Sequence, residues 1–131
     1  MQLRCSLPVA DIGAGPAVLR DYAQAAEGFG YAHLVAPDHV LGANPNADHG
    51  ERRVGTTANA YHDPFGLFGF LSGCTREIGF AVGVLILAQW QAVLVAKQAA
   101  SLDLSSGGRF RLGIGVGWNE VQSGGGRSAL D

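Results

Sequence analysis

Charge is scarce in this chain. Asp, Glu, Lys and Arg make up 15% of its 131 residues, nine basic against eleven acidic, for a formal net charge of −2. With 47% apolar residues, it falls outside the disordered class. The basic residues are scattered, with no stripe along any segment, which argues against a nucleic-acid partner. Cysteine is nearly absent: only Cys5 and Cys74 occur. Their spacing is not that of a metal site, and His33, His49 and His62 add no ligand pattern, so no metal is expected. The two cysteines could pair, but a reduced, cytoplasmic setting fits better. Residues 1–8 lack the apolar run of a secretion signal. Residues 78–96 lack any charge and are long enough to suggest a membrane helix. Their first half alternates and is β-rich, however, and Gln89, Trp90 and Gln91 interrupt the run. A buried strand followed by a helix is the better reading, and no membrane partner is expected.

What the chain does have is glycine, 20 residues, clustered beside apolar runs as tight turns and close backbone approaches require. Residues 2–7 read as a short strand. Pro16 suits the first position of a helix, in which Leu19, Tyr22, Ala23 and Ala26 recur at helical spacing until Gly28 and Gly30 end it. Residues 31–36 form a second strand, stopped by Pro37. Residues 40–61 are polar and aperiodic, a long loop of the kind that serves as a lid or binding loop. Pro64 opens a second helix, with Phe65, Phe68 and Phe70 as core residues. Residues 78–87 form a third strand, apolar on both faces: Ile78, Phe80, Val82, Val84 and Ile86 on one, Ala81, Leu85 and Leu87 on the other. Such a strand belongs in a parallel sheet. Residues 91–104 form a third helix, with Leu94, Val95, Gln98, Ala99 and Leu102 toward the core. Ser106-Gly107-Gly108 turns the chain into a fourth strand, residues 109–116. Strands joined by helices give right-handed crossovers and a parallel α/β sheet, either doubly wound and open or part of a (β/α)8 barrel. Periodicity does not choose between them. Residues 122–131 carry no pattern and read as a disordered tail.

Two stretches could carry chemistry. Gly113-Ile114-Gly115-Val116-Gly117 follows a strand, but Trp118 and Glu120 stand where a dinucleotide fingerprint needs glycine, so that reading fails. Two others remain: a glycine-rich strand that keeps its inner face open, or a strand against which a flat cofactor ring lies. Asp38-His39 comes directly after the second strand, where sites form in parallel α/β folds. A histidine there can take or give a proton, and the carboxylate could orient it. The plainer reading is a solvated loop pair. Arg52-Arg53 reads as a charge pair on the loop, with an anionic substrate as the alternative.

Taken together, Leu94-Val95-Ala96-Lys97-Gln98-Ala99-Ala100-Ser101-Leu102-Asp103 and Ser106-Gly107-Gly108-Arg109-Phe110-Arg111-Leu112-Gly113-Ile114-Gly115-Val116-Gly117-Trp118-Asn119-Glu120 resemble the third helix and fourth strand of the bacterial-luciferase-like monooxygenase superfamily. Leu34-Val35-Ala36-Pro37-Asp38-His39 resembles its second strand, and Gly83-Val84-Leu85-Ile86-Leu87 its third. Leu7-Pro8 and Asp11-Ile12-Gly13-Ala14-Gly15-Pro16 resemble the opening of a branch that uses the deazaflavin coenzyme F420. The resemblance implies a (β/α)8 TIM-barrel fold, with residues 1–121 as its N-terminal half. It implies a flavin or deazaflavin at the C-terminal mouth, coenzyme F420 with FMN as the alternative, exchanging a hydride with a small-molecule substrate. It also implies an acid or base at His39 partnered by Asp38, a non-prolyl cis peptide at Gly83-Val84 backing the ring, and Gly115, Gly117 and Asn119 near the cofactor.

The chain departs from that pattern in places. Trp118 stands where some relatives carry an acidic proton donor, Ala88 replaces a proline, Trp90 stands where basic residues are common, and Gly66 falls inside a helix. A complete barrel needs about 250 residues. The expectation is a chain truncated after strand four, with weak or no cofactor binding alone. Its open edges at strands one and four invite self-association. A catalytically inactive remnant or assembly module is the reading from another class.

Overall fold

The computed structural model describes residues 1–40 and 61–116, and it forms one parallel sheet under a layer of helices. The strands are β1 (Arg4–Ser6), β2 (His33–Ala36), β3 (Gly79–Ile86) and β4 (Phe110–Gly115), in the spatial order β1-β2-β3-β4. The helices are α1 (Val9–Ile12), α2 (Pro16–Gly28), α3 (Pro64–Cys74) and α4 (Ala92–Ser105), with a 3-10 turn at Leu87–Gln89 after β3. Sequential parallel neighbours joined by right-handed crossovers place the helices on one face. This is the α/β fold expected from the sequence, with the one-turn α1 in addition.

Local chemistry explains the element ends. Pro16 and Pro64 open α2 and α3, where a missing N–H costs nothing. Asp63 caps α3, its Oδ2 accepting the Gly66 N–H at 2.7 Å. A Cβ on Gly66 would lie 3.1 Å from that oxygen, a tight contact that the cap would have to relax to admit. At the end of α4, Gly107 and Gly108 have φ of +70° and +79°, which lets the Gly108 N–H reach back to the Asp103 carbonyl.

The core lies between helices and sheet. Leu19, Ala23 and Ala26 of α2, Phe65, Phe68 and Leu71 of α3, and Val95 and Leu102 of α4 meet Leu34, Phe80, Val82 and Leu85. Phe68 and Phe80 are fully buried with ring centroids 5.2 Å apart. Two core assignments change. Phe70 and Leu94 are exposed, because only one stripe of each helix faces the sheet. In β3 the alternation breaks: the register slips between Val82 and Leu85, so Leu85 replaces Val84 on the buried side and Val84 is exposed. Both cysteines are free thiols. No helix among the described residues is long and apolar enough to cross a membrane.

The opposite face would line the inside of a barrel. Arg4 and Ser6, His33 and Val35, Gly79, Ala81 and Gly83, and Arg111 and Gly113 stand on it by register and alternation.

Candidate functional site

In a parallel sheet all C-terminal strand ends meet at one rim, and Asp38, His39 and Trp90 stand there. Pro37 stops β2, and Asp38 follows it. Asp38 is only 3% exposed. Its Oδ2 accepts the backbone N–H of Ile86 at 3.1 Å and the indole N–H of Trp90 at 2.8 Å. The carboxylate therefore ties the end of β2 to the end of β3 and to the residue after the 3-10 turn. Burial pushes its pKa above the ordinary carboxylate value, and the charge of Asp63 acts in the same sense. The Ile86 and Trp90 donors and the His39 charge pull the other way. Asp38 is neither a solvated loop residue nor a freely available proton acceptor.

His39 comes next and is half-buried. Its ring centroid lies 4.5 Å from that of Tyr61, with the planes tilted by 46°. Tyr61 is the first described residue after the 41–60 segment, so the two ends of that loop meet in this ring contact. On β3 the Gly83-Val84 peptide is cis, at the register slip, and both residues are exposed. On β4, Gly115 pairs with Ile86, whose N–H holds Asp38. Asp38, His39, Gly83, Val84 and Gly115 thus share one end of the sheet. Gly117 and Asn119, with Trp118, lie outside the described residues, as do His49, Arg52 and Arg53.

The glycines of β4 have a cause in the protein itself. A Cβ on Gly115 would come within 2.6 Å of Val84 Cγ2, and one on Gly113 would collide with the Val82 carbonyl oxygen. Gly83 is similarly confined, with Val35 Cγ1 at 2.7 Å from the place of its Cβ. The bulge sends the Val84 side chain across β4, and small residues let it lie there. Together Gly83, Val84, Gly113 and Gly115 form a low apolar ledge on the inner face, flanked by His39. Such a ledge fits the back of a flat ring.

Three residues went unrecognised in the sequence. Trp90, noted there only as unusual, is the second donor to Asp38 and packs edge-on against Phe65 at 5.8 Å. At the other end of the sheet, Glu27 Oε1 accepts three backbone N–H groups, from Arg76, Glu77 and Ile78, at 2.7–2.9 Å. Arg109 donates to the carbonyls of Ser106, Ile78 and Ser72 and to Thr75 Oγ1, with its guanidinium 5.2 Å from the centroid of the Phe80 ring. The Ser-Gly-Gly-Arg motif therefore braces the N-terminal end of the sheet, away from the rim. A separate apolar pocket of about 180 Å³ sits in the helix layer, lined by Pro16, Leu19, His62, Leu67 and Phe70. It is not on the inner face and holds none of the rim residues.

Comparison with known proteins is consistent with this geometry. The family description "Luciferase-like monooxygenase" matches residues 6–131, a span that includes the patternless residues 122–131. The uncharacterized protein Rv0953c of Mycobacterium tuberculosis is 37% identical over 57 residues, 44% of this chain and 20% of that protein. Among solved structures, the coenzyme F420 dependent tetrahydromethanopterin reductase of Methanopyrus kandleri superposes with a TM-score of 0.70 at 20% identity, covering 95% of this chain and 30% of that one. The oxygenating constituent of 3,6-diketocamphane monooxygenase from Pseudomonas putida, in complex with FMN, gives 0.67 at 18% identity, covering 91% and 30%. EDTA monooxygenase from Chelativorans sp. BNC1 gives 0.69 at 21%, covering 97% and 32%. Similarity at these identities speaks to the fold. The chain spans about a third of the length of these structures.

Proposed function

Because this chain belongs to the luciferase-like monooxygenase family, we propose that it contributes the β1–β4 rim of a deazaflavin site in an oxidoreductase that uses coenzyme F420 on a small organic substrate. The observation that carries the reading is the exposed Gly83-Val84 ledge beside His39 at the C-terminal end of a parallel sheet. Gly83 and Val84 would support the ring from behind, and Gly115 keeps the neighbouring strand low enough for Val84 to lie flat. When bound, such a ring supplies hydride donation or acceptance. His39, at the same rim, would hold or release a proton. Asp38 acts through position: its buried carboxylate fixes the ends of β2 and β3 and so fixes where His39 stands. The F420-type opening sequence supports the deazaflavin, and an F420-dependent reductase stands among the similar folds. The FMN-containing neighbour keeps an oxygen-activating monooxygenase as the second reading.

Titration of the isotopically labelled chain with coenzyme F420 and, separately, FMN tests the proposal. The expected result is perturbed backbone resonances at Gly83, Val84, His39 and Gly115, stronger with F420, with a dissociation constant above about 100 μM. Affinity is low because the usual barrel phosphate grip follows strands seven and eight. Replacing His39 by Ala should weaken the response further. Perturbations absent from the ledge at saturating cofactor would reject the site. A stronger response to FMN would transfer it to the monooxygenase reading.

A further inference from the structure

The inner face of the sheet carries two arginines and a buried histidine with no acidic partner among the described residues. Arg4 of β1 pairs in register with His33 of β2, and His33 with Gly79 of β3. Arg111 of β4 pairs with Ala81, two residues beyond Gly79 and on the same face. His33 is 6% exposed, and its ring lies so close over Gly79 that a Cβ there would fall 2.6 Å from Cδ2 and 2.9 Å from Nε2. The Cδ2–Nε2 edge thus faces β3, which turns the Nδ1 edge away from it. Nδ1 is buried and has no hydrogen-bond partner among the described residues. Burial and the charges of Arg111 and Arg4 hold the His33 pKa below its ordinary value, so both arginines act on this ring. No acidic residue stands on the inner face of β1–β4, and neither arginine has a salt bridge among the described residues.

A barrel interior does not leave such a cluster open. Inward side chains of alternate strands stack in layers, so strands closing the barrel would set their own side chains against the neighbouring layers that hold Arg4, His33 and Arg111. A buried polar or charged group needs a partner there. We propose that the Arg4, His33 and Arg111 cluster selects the βα units that close this sheet into a barrel: their facing layer carries carboxylates. The same cluster disfavours a second copy of this chain. Two copies joined edge to edge, β4 of one beside β1 of the other, would bring two arginine–histidine clusters into one ring with no acid between them. This inference rests on the fold and on charge, and does not depend on which cofactor the rim takes.

A charge-reversed copy, R4E/R111E, is the probe of complementary chemistry. Arg4 and Arg111 are exposed in the isolated chain, so the substitutions leave the helix-side core untouched. Wild type and variant, one of them isotopically labelled, are mixed and their dimers counted by native mass spectrometry and sedimentation. The mixed dimer is expected to form at least tenfold more tightly than the wild-type dimer, and to weaken as salt is raised. The His33 ring, followed by NMR, should titrate at higher pH in the mixed dimer than in the free chain. A statistical mixture of dimers, no mixed dimer, or an unmoved His33 titration would overturn the proposal. If circular dichroism shows the charge-reversed chain unfolded, R4Q/R111Q takes its place. That variant should self-associate more tightly than wild type, and unchanged self-association would overturn the proposal equally.

Discussion

Two buried or half-buried carboxylates give the chain opposite responses to pH. Asp38 has a raised pKa, so the folded state prefers it protonated. Its contribution to stability is complete below its unfolded value near 3.8 and is lost as pH rises through the folded value. Glu27 is the reverse. Burial works to raise its pKa, but three backbone N–H donors and the charge of Arg109 bring it below the ordinary value. Its contribution is present above 4.5 and is lost as pH falls through the folded value. Asp38→Asn keeps an acceptor oxygen for Ile86 and Trp90 without a charge, so it should flatten the loss above pH 4 and leave the chain at least as stable at pH 7. Asp38→Ala leaves two donors unanswered and should cost about 1–3 kcal/mol. Glu27→Gln should remove the acid-side loss and cost about 2 kcal/mol at pH 7, since hydrogen bonds to a charged acceptor weaken when it becomes neutral. Urea unfolding across a pH series measures all three. An Asn variant as unstable as the Ala variant would show that the charge of Asp38, not its acceptor atoms, holds the rim.

Within elements, β3 and β4 are coupled through the bulge. Gly113→Ala should destabilise more than Gly115→Ala, because its Cβ meets the backbone oxygen of Val82 whereas that of Gly115 meets a side-chain methyl. Val84→Ala should then rescue Gly115→Ala and leave Gly113→Ala unrelieved, a non-additivity readable in thermal unfolding of the single and double variants. Equal rescue of both would mean that Val84 does not set the glycine requirement. The same pair shows how far the sequence could be read. The helical stripe of α2 and the apolar run of β3 announce their elements, because periodicity is local. The phase of β3 beyond Val82 was misassigned, because one slipped residue exchanges the two faces and leaves no compositional mark. Asp38 was singled out by its place after a strand, but its partners lie 48 and 52 residues away, and no spacing rule joins them. The cis peptide at Gly83-Val84 entered only through family resemblance, since nothing in that dipeptide distinguishes it from any other strand pair.

At the scale of the molecule, the sheet is stiff in its middle and weak at its margins. β2 and β3 have a strand on both sides, and Leu34, Phe80, Val82 and Leu85 are sealed beneath the helices. β1 has three residues and one neighbour. β4 has one neighbour, and its Ile114 is 55% exposed on the side the helices cover elsewhere. Local opening costs least where few apolar contacts must be broken. Hydrogen exchange should therefore grade across the sheet, slowest at residues 80–82 and 34–36, faster at 4–6 and fastest at 112–115. Closure of the inner face by strands with complementary charge would change that order, because β1 and β4 would each gain a partner and their N–H groups an acceptor. In the mixed dimer with the charge-reversed copy, protection should rise chiefly at β1 and β4, while β2 and β3 stay as they were. Protection that rose uniformly would mean general stabilisation. Protection confined to the helices would place the contact on the wrong face of the sheet, and the sheet would then be a surface for helix packing.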